Sequence, residues 1–226
     1  PCQFLKWRKY LKRRHDRRFP SERVVSSPLY DLTLALESRS PALRGKIARM
    51  RTRWFDKRVA RVVERTRPDV VMLFSDVGTD HVFAACRKLG IPTILSQVTG
   101  DVREERRLLE DEARLSPDFF PLYLGNGTID RESMDFLHER RIRESAHADL
   151  ILVPSRHIAD ALIAGGCPSD AVRVVPYAAD TSRFRPIEKR PNPDECTFLF
   201  AGGIAQRKGI KYLLEAWSRI KRPGWR

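Results

Sequence analysis

Toward the C-terminal end, the stretch FLFAGGIAQRKGIKYLLEAW places Gly202 and Gly203 after an apolar run, then Arg207, Lys208 and Gly209 at the head of an amphipathic segment. That segment carries Ile210, Leu213, Leu214, Trp217 and Ile220 at helical spacing. A helix N-terminus already bears partial positive charge, so cations are normally placed at the other end. Arg207 and Lys208 break this rule, and such a local contradiction is expected where an anion binds. Free N–H groups, close backbone approach at the two glycines and two cations would together stabilise a phosphate or diphosphate. The competing reading is a pair of solvated cations beside a turn.

Asp101 is the second residue of chemical interest. It follows Gly100 a few residues beyond the apolar run IPTIL, and ligands of open α/β sheets bind at the C-terminal ends of strands. Its carboxylate is placed to orient a substrate hydroxyl, or to cap the helix that begins there. Glu104, Glu105, Glu110 and Glu112 read as a solvated helix face. His81, His138, His147 and His157 lie in helical stretches without ligand spacing and are given surface or packing roles. Cys2, Cys86, Cys167 and Cys196 form no CxxC pair, so neither a zinc site nor a disulfide framework is suggested, and reduced cytoplasmic thiols are expected.

Regular elements must position these residues. From Pro68 onward the run VVMLF, the stripe Val82, Phe83, Cys86 and Leu89, and the run IPTIL predict strand, helix and strand, with Gly90 closing the helix in the left-handed conformation. A parallel crossover unit follows from that order. The runs from Asp101 to Leu115 and from Asp130 to His147 predict two exposed helices, separated by the loop SPDFFPLYLGNG. DLILV, the helix capped by Ser155 and stopped at Gly165 or Gly166, and VRVV give a second crossover. The expected sheet spans Pro68 to Pro176, with helices on both faces and strands such as VVMLF buried on both sides. IEKRPNPDEC reads as a linker, with a boundary near Arg190, and TFLFA as a new buried strand outside the first sheet.

Before Pro68 the pattern is basic. Phe4, Trp7 and Leu11 share one face of a short helix ringed by Lys and Arg, Arg23 to Ser26 suggests a strand followed by a helix, and Leu43, Ile47, Met50 and Trp54 mark one face of a long helix between Arg39 and Arg67. The 226-residue chain has a net charge of +14. From Pro1 to Arg67 there are 20 Lys and Arg against 6 Asp and Glu; the remaining residues hold 23 of each. This asymmetry attracts anionic partners without choosing among lipid, nucleic acid and acidic protein. With 42 % hydrophobic and 32 % charged residues the chain is globular, and no apolar run approaches the roughly 20 residues of a membrane span.

Three blocks in order, HADLILVPSRHIADALIAGG, VRVVPYAADTSRFRP and FLFAGGIAQRKGIKYLLEAW, resemble the family 4 glycosyltransferases of two-Rossmann-domain GT-B architecture. The likeness is strongest from His147 to Trp217. It implies an α/β fold in which residues 1–190 form a Rossmann-like acceptor-side domain with a parallel sheet, and residues 191–226 form the linker and the opening strand and helix of a second, nucleotide-sugar-binding domain. It implies transfer of a sugar from a nucleotide-sugar donor to a glycan or lipid-linked acceptor with retention, without a metal or other cofactor. Gly202, Gly203, Arg207 and Lys208 then match the motif that holds the donor diphosphate. A common family variant has Arg where this chain has Gly203, and a histidine where an ungapped count places Val98. The family's donor carboxylate motif and its first strand with a Gly-rich turn have no counterpart here, and the first residue is Pro; the resemblance therefore implies a chain truncated at both ends and inactive alone. Surface polysaccharide or glycolipid biosynthesis in the cytoplasm, at the inner face of a membrane, is the expected setting.

Two readings of other classes compete. One is a nucleic-acid-binding protein using the basic first third, against which Trp7 and Trp54 fit buried helix faces better than stacking platforms, and no nucleic-acid motif is present. The other is a non-catalytic module that docks on an anionic surface.

Overall fold

The computed structural model describes residues 27, 30, 33, 43–76, 80–118, 131–186 and 195–226. The basic helix at Phe4 to Leu11, the strand at Arg23 to Ser26 with the helix after it, most of the loop between Ser116 and Gly127, and most of the linker at 187–194 lie outside them. The chain forms two packing units, residues 1–51 and 52–226. In the first, Thr33 Oγ1 donates to Tyr30 O at 2.7 Å, and the Arg51 guanidinium sits 5.2 Å from the centre of the Tyr30 ring.

The second unit is built on a four-stranded parallel sheet, β1 (Val71–Phe74), β2 (Thr93–Ser96), β3 (Leu150–Val153) and β4 (Val172–Val174), in the spatial order β1-β2-β3-β4. The described helices are α1 (Arg44–Thr66), which spans the break between the units, α2 (Asp80–Leu89), α3 (Val102–Leu115), α4 (Arg131–His147), α5 (Arg156–Ala164) and α6 (Ile210–Ile220). Gly90 follows α2 at φ 68°, the left-handed closure expected of it.

Register explains where the core lies. Leu73, Leu95, Ile151 and Val172 pair in one row across the sheet, so their side chains share a face. Ala60 and Val63 of α1 and Val82, Phe83 and Cys86 of α2 pack on its β1–β2 side. Ala159 and Leu162 of α5 pack on its β3–β4 side, and Ala148 touches both clusters. Each fully buried aliphatic side chain here contributes about 1.5–3 kcal/mol.

For β1 the expectation of a strand buried on both sides is corrected. Val71 and Leu73 are 8 % and 6 % exposed, whereas Met72 and Phe74 on the opposite face are 53 % and 59 % exposed. The cause is topological: right-handed crossovers that always step in the same direction set every crossover helix on the same side. Among the described residues, α1, α2 and α5 all cover that one side.

TFLFA is also corrected. It is no regular strand; Cys196 makes a single parallel bridge to Trp225, and Leu199 is 86 % exposed. Phe198 N–H donates to Arg226 O at 2.8 Å, while its ring lies 5.2 Å from Trp217 and 5.4 Å from Trp225. A strand requires a ladder of neighbours, and among the described residues this segment has only the two at the chain end.

Candidate functional site

The Gly202–Gly209 segment forms a turn that delivers two cations to a helix start. A 3-10 turn, Gln206–Lys208, is closed by Lys208 N–H donating to Ala205 O at 3.0 Å and Gly209 N–H to Gln206 O at 2.8 Å. Gly209 then adopts φ 71°, a conformation that a side chain would strain, and becomes the N-cap of α6 with no side-chain acceptor. Arg207 and Lys208 are exposed and, among the described residues, without an ion pair. A side-chain carbon at Gly203 would meet nothing within 4 Å, and one at Gly202 only the Phe200 ring at 3.9 Å. The turn therefore faces open space with its positive charge uncompensated. The four residues singled out in the sequence come together on one short loop.

What anchors this loop was not singled out. Gln206 is buried and its Nε2 donates to Glu112 Oε1 of α3 at 2.6 Å; Tyr212 OH donates to Glu112 Oε2 at 2.8 Å, and Lys211 Nζ to Ser116 Oγ at 2.8 Å. Burial raises the Glu112 carboxyl, but these hydrogen bonds and the Lys211 charge more than offset it, leaving the group below its ordinary value.

Asp101 lies elsewhere. It is the N-cap of α3, accepting from Arg103 N–H at 2.9 Å, and both carboxylate oxygens are held by the Arg103 guanidinium at 2.8 and 2.7 Å. Burial would raise this carboxyl, yet Arg103 brings it below its ordinary value. Arg103 also donates to Gly165 O, tying the start of α3 to the end of α5. A cleft of about 370 Å³ opens here, lined by Gln97, Asp101, Arg103, Arg141, Gly165 and Cys167 among others. Gln97 donates to Thr99 O and Oγ1 while its Oε1, buried, has no partner among the described residues.

The two helices expected to be exposed conceal an ionic cluster, a further correction. Arg141 holds Asp76 at 2.9 Å and Glu105 at 2.8 Å, and Arg140 pairs with Glu144 at 3.0 Å with both side chains buried. Glu144 also accepts from Asp76 N–H at 2.9 Å. His138 is buried beside Glu105, and burial lowers its pKa. A charged residue reads as solvated in sequence; here mutual pairing makes burial tolerable. Of the acidic residues assigned to a solvated face, Glu105 and Glu112 are thus held in contacts. His147 packs at 5.9 Å from Phe83 and His157 is exposed, in line with packing and surface roles.

Among the described residues no group of three or more metal-ligating side chains converges, and no helix is long and apolar enough to cross a membrane.

A four-stranded parallel sheet with crossover helices, and a cleft beyond the ends of its strands, is the architecture of a Rossmann-like α/β domain. Residues 9–183 match the model of Glycosyltransferase Family 4. The chain belongs to that family, and its general function is that of a glycosyltransferase. No curated protein and no solved structure gives a significant match.

Proposed function

We propose that the chain carries the acceptor side of a retaining, hexosyltransferase-type enzyme that moves sugar from a nucleotide-sugar to a glycan or lipid-linked acceptor, in surface polysaccharide or glycolipid synthesis. Residues 1–190 are assigned to the acceptor side and 191–226 to the start of the donor domain. In this reading Gly202, Gly203, Arg207 and Lys208 receive the diphosphate, Asp101 borders the acceptor cleft, and the 226-residue chain alone turns over no sugar. The observation that carries it is the uncompensated pair Arg207 and Lys208 before the uncapped start of α6. Titration of the chain with inorganic pyrophosphate, followed by amide chemical shifts, tests it. Shifts at Gly202 to Gly209 that weaken about tenfold or more in Lys208→Ala support the role. Equal affinity in the variant removes it.

A second reading, contact with an anionic membrane at the cytoplasmic face, is favoured by α1. Arg53, Lys57, Arg61 and Arg65 recur every four residues, all exposed, along about 18 Å of helix. Like charges at this spacing destabilise a helix by roughly 0.2–0.5 kcal/mol per pair, a cost that an anionic surface would reverse. Lys57 and Arg61 also border a 330 Å³ groove shared with His81 and Lys88 of α2.

A further inference from the structure

The Gln206–Gly209 turn is held by a helix far from it in sequence. Arg207 and Lys208 are exposed and have no ion pair among the described residues, so nothing in their own side-chain contacts fixes where they point. The residue before them differs. Gln206 is buried, and its amide is held by Glu112, 94 positions earlier in the chain. The same carboxylate takes the Tyr212 hydroxyl from the first turn of α6. One side chain of α3 therefore grips both ends of the element that contains Arg207, Lys208 and Gly209, and Ser116 adds a third point through Lys211.

We propose that Glu112 is a positioning residue: it fixes the Gln206–Gly209 turn, and with it the Arg207 and Lys208 charges, against the acceptor-side helix α3. The inference rests on the reading of those two cations as phosphate ligands. A charged acceptor suits the task, because a carboxylate can take both donors at once and charge-assisted bonds are roughly twice as strong as neutral ones. Pre-set cations lose less conformational freedom on binding than free ones, so the anchor acts on phosphate affinity without touching phosphate. It also couples the halves: any movement of α3 is passed to the two cations through a pair of hydrogen bonds instead of being lost in the linker.

The test has two arms on the 226-residue chain, using Glu112→Ala, Gln206→Ala, and the exchanged pair Glu112→Gln with Gln206→Glu. The exchanged pair can re-form an amide-to-carboxylate bond in the opposite sense and still accept from Tyr212. Amide hydrogen exchange is read at Lys208, Gly209 and Leu213, whose N–H groups donate to Ala205, Gln206 and Gly209, with Ile91 and Gln97 as distant references. Each single variant should speed exchange at the three reporters about tenfold and leave the references unchanged, and the exchanged pair should restore protection. In the second arm, inorganic pyrophosphate should bind the single variants about tenfold more weakly, with recovery in the exchanged pair.

Unchanged exchange in both single variants overturns the anchor. Faster exchange with unchanged pyrophosphate affinity overturns the positioning role while leaving Lys208 as a ligand. If pyrophosphate ignores the wild-type chain, the phosphate reading falls, and the exchange arm still decides whether Glu112 holds the turn. Should Glu112→Ala not fold, Gln206→Ala poses the same question from the other end.

Discussion

Asp56 of α1 caps α2 across the core, its Oδ1 accepting from Val82 N–H at 3.1 Å and its Oδ2 from His81 N–H at 2.9 Å. A buried carboxylate here satisfies two N–H groups that the first turn of a helix leaves without partners, and it places negative charge at the positive end of α2. Asp56→Ala should therefore destabilise the fold by about 2 kcal/mol, and Asp56→Asn by less. Urea unfolding of both variants checks this; an Ala variant within ~0.5 kcal/mol of wild type would remove the cap from the account.

Burial pushes the Glu144 carboxyl from 4.5 to about 7, despite hydrogen bonds from Asp76 and Arg140. The folded state thus binds a proton that the unfolded chain has released between these values. Stability should fall as pH rises from about 4.5 to about 7 and level off above, by roughly 3 kcal/mol for this group. Glu144→Gln should flatten that slope. An unaltered slope in the variant would assign the pH dependence to other groups.

The two faces of β1 should respond differently to truncation. Leu73→Ala removes a side chain packed under α1 and α2 and should cost about 2–4 kcal/mol. Phe74→Ala removes a larger but half-exposed ring and should cost under ~1 kcal/mol. Equal costs would mean that the second face is covered in solution.

Membrane contact through α1 is tested by vesicle co-sedimentation with a quadruple neutralisation, Arg53, Lys57, Arg61 and Arg65 each to Gln. Attraction to anionic lipid is about 1 kcal/mol per well-placed cation, so binding to anionic vesicles should drop at least a hundredfold and fall with added salt. Equal binding to neutral vesicles, or tighter and equally salt-sensitive binding to duplex DNA, would rule against the lipid reading.

Sequence pattern carried the sheet because its signal is local. Val71 to Phe74, Thr93 to Ser96 and Leu150 to Val153 are apolar runs bounded by turn residues, and Ser155 caps α5 as its position suggested, accepting from Ile158 N–H. The expectation failed where a strand depends on neighbours, as at TFLFA, or where the direction of every crossover decides which face is covered, as at Met72 and Phe74. Arg141, on a helix expected to be exposed, gave no sign of burial because its partners are set by tertiary contact: Asp76 lies 65 positions away and Glu105 lies 36. Glu112 gave no signal, since an acid on a helix differs in sequence from its solvated neighbours only by what packs above it. Arg207 and Lys208 stood out for the opposite reason, being cations where helix electrostatics disfavours them.

The strand order β1-β2-β3-β4 bears on how the domain is assembled. Parallel sheets are slow to form when a strand must wait for a distant partner, because loop closure is paid before pairing returns anything. In this sheet each strand pairs with the one before it in the chain, and α2 or α5 packs beside the pair it connects. Every crossover can dock as soon as it leaves the ribosome, onto an edge already present. The fold can therefore grow in the order of synthesis, with each new strand serving as the template for the next.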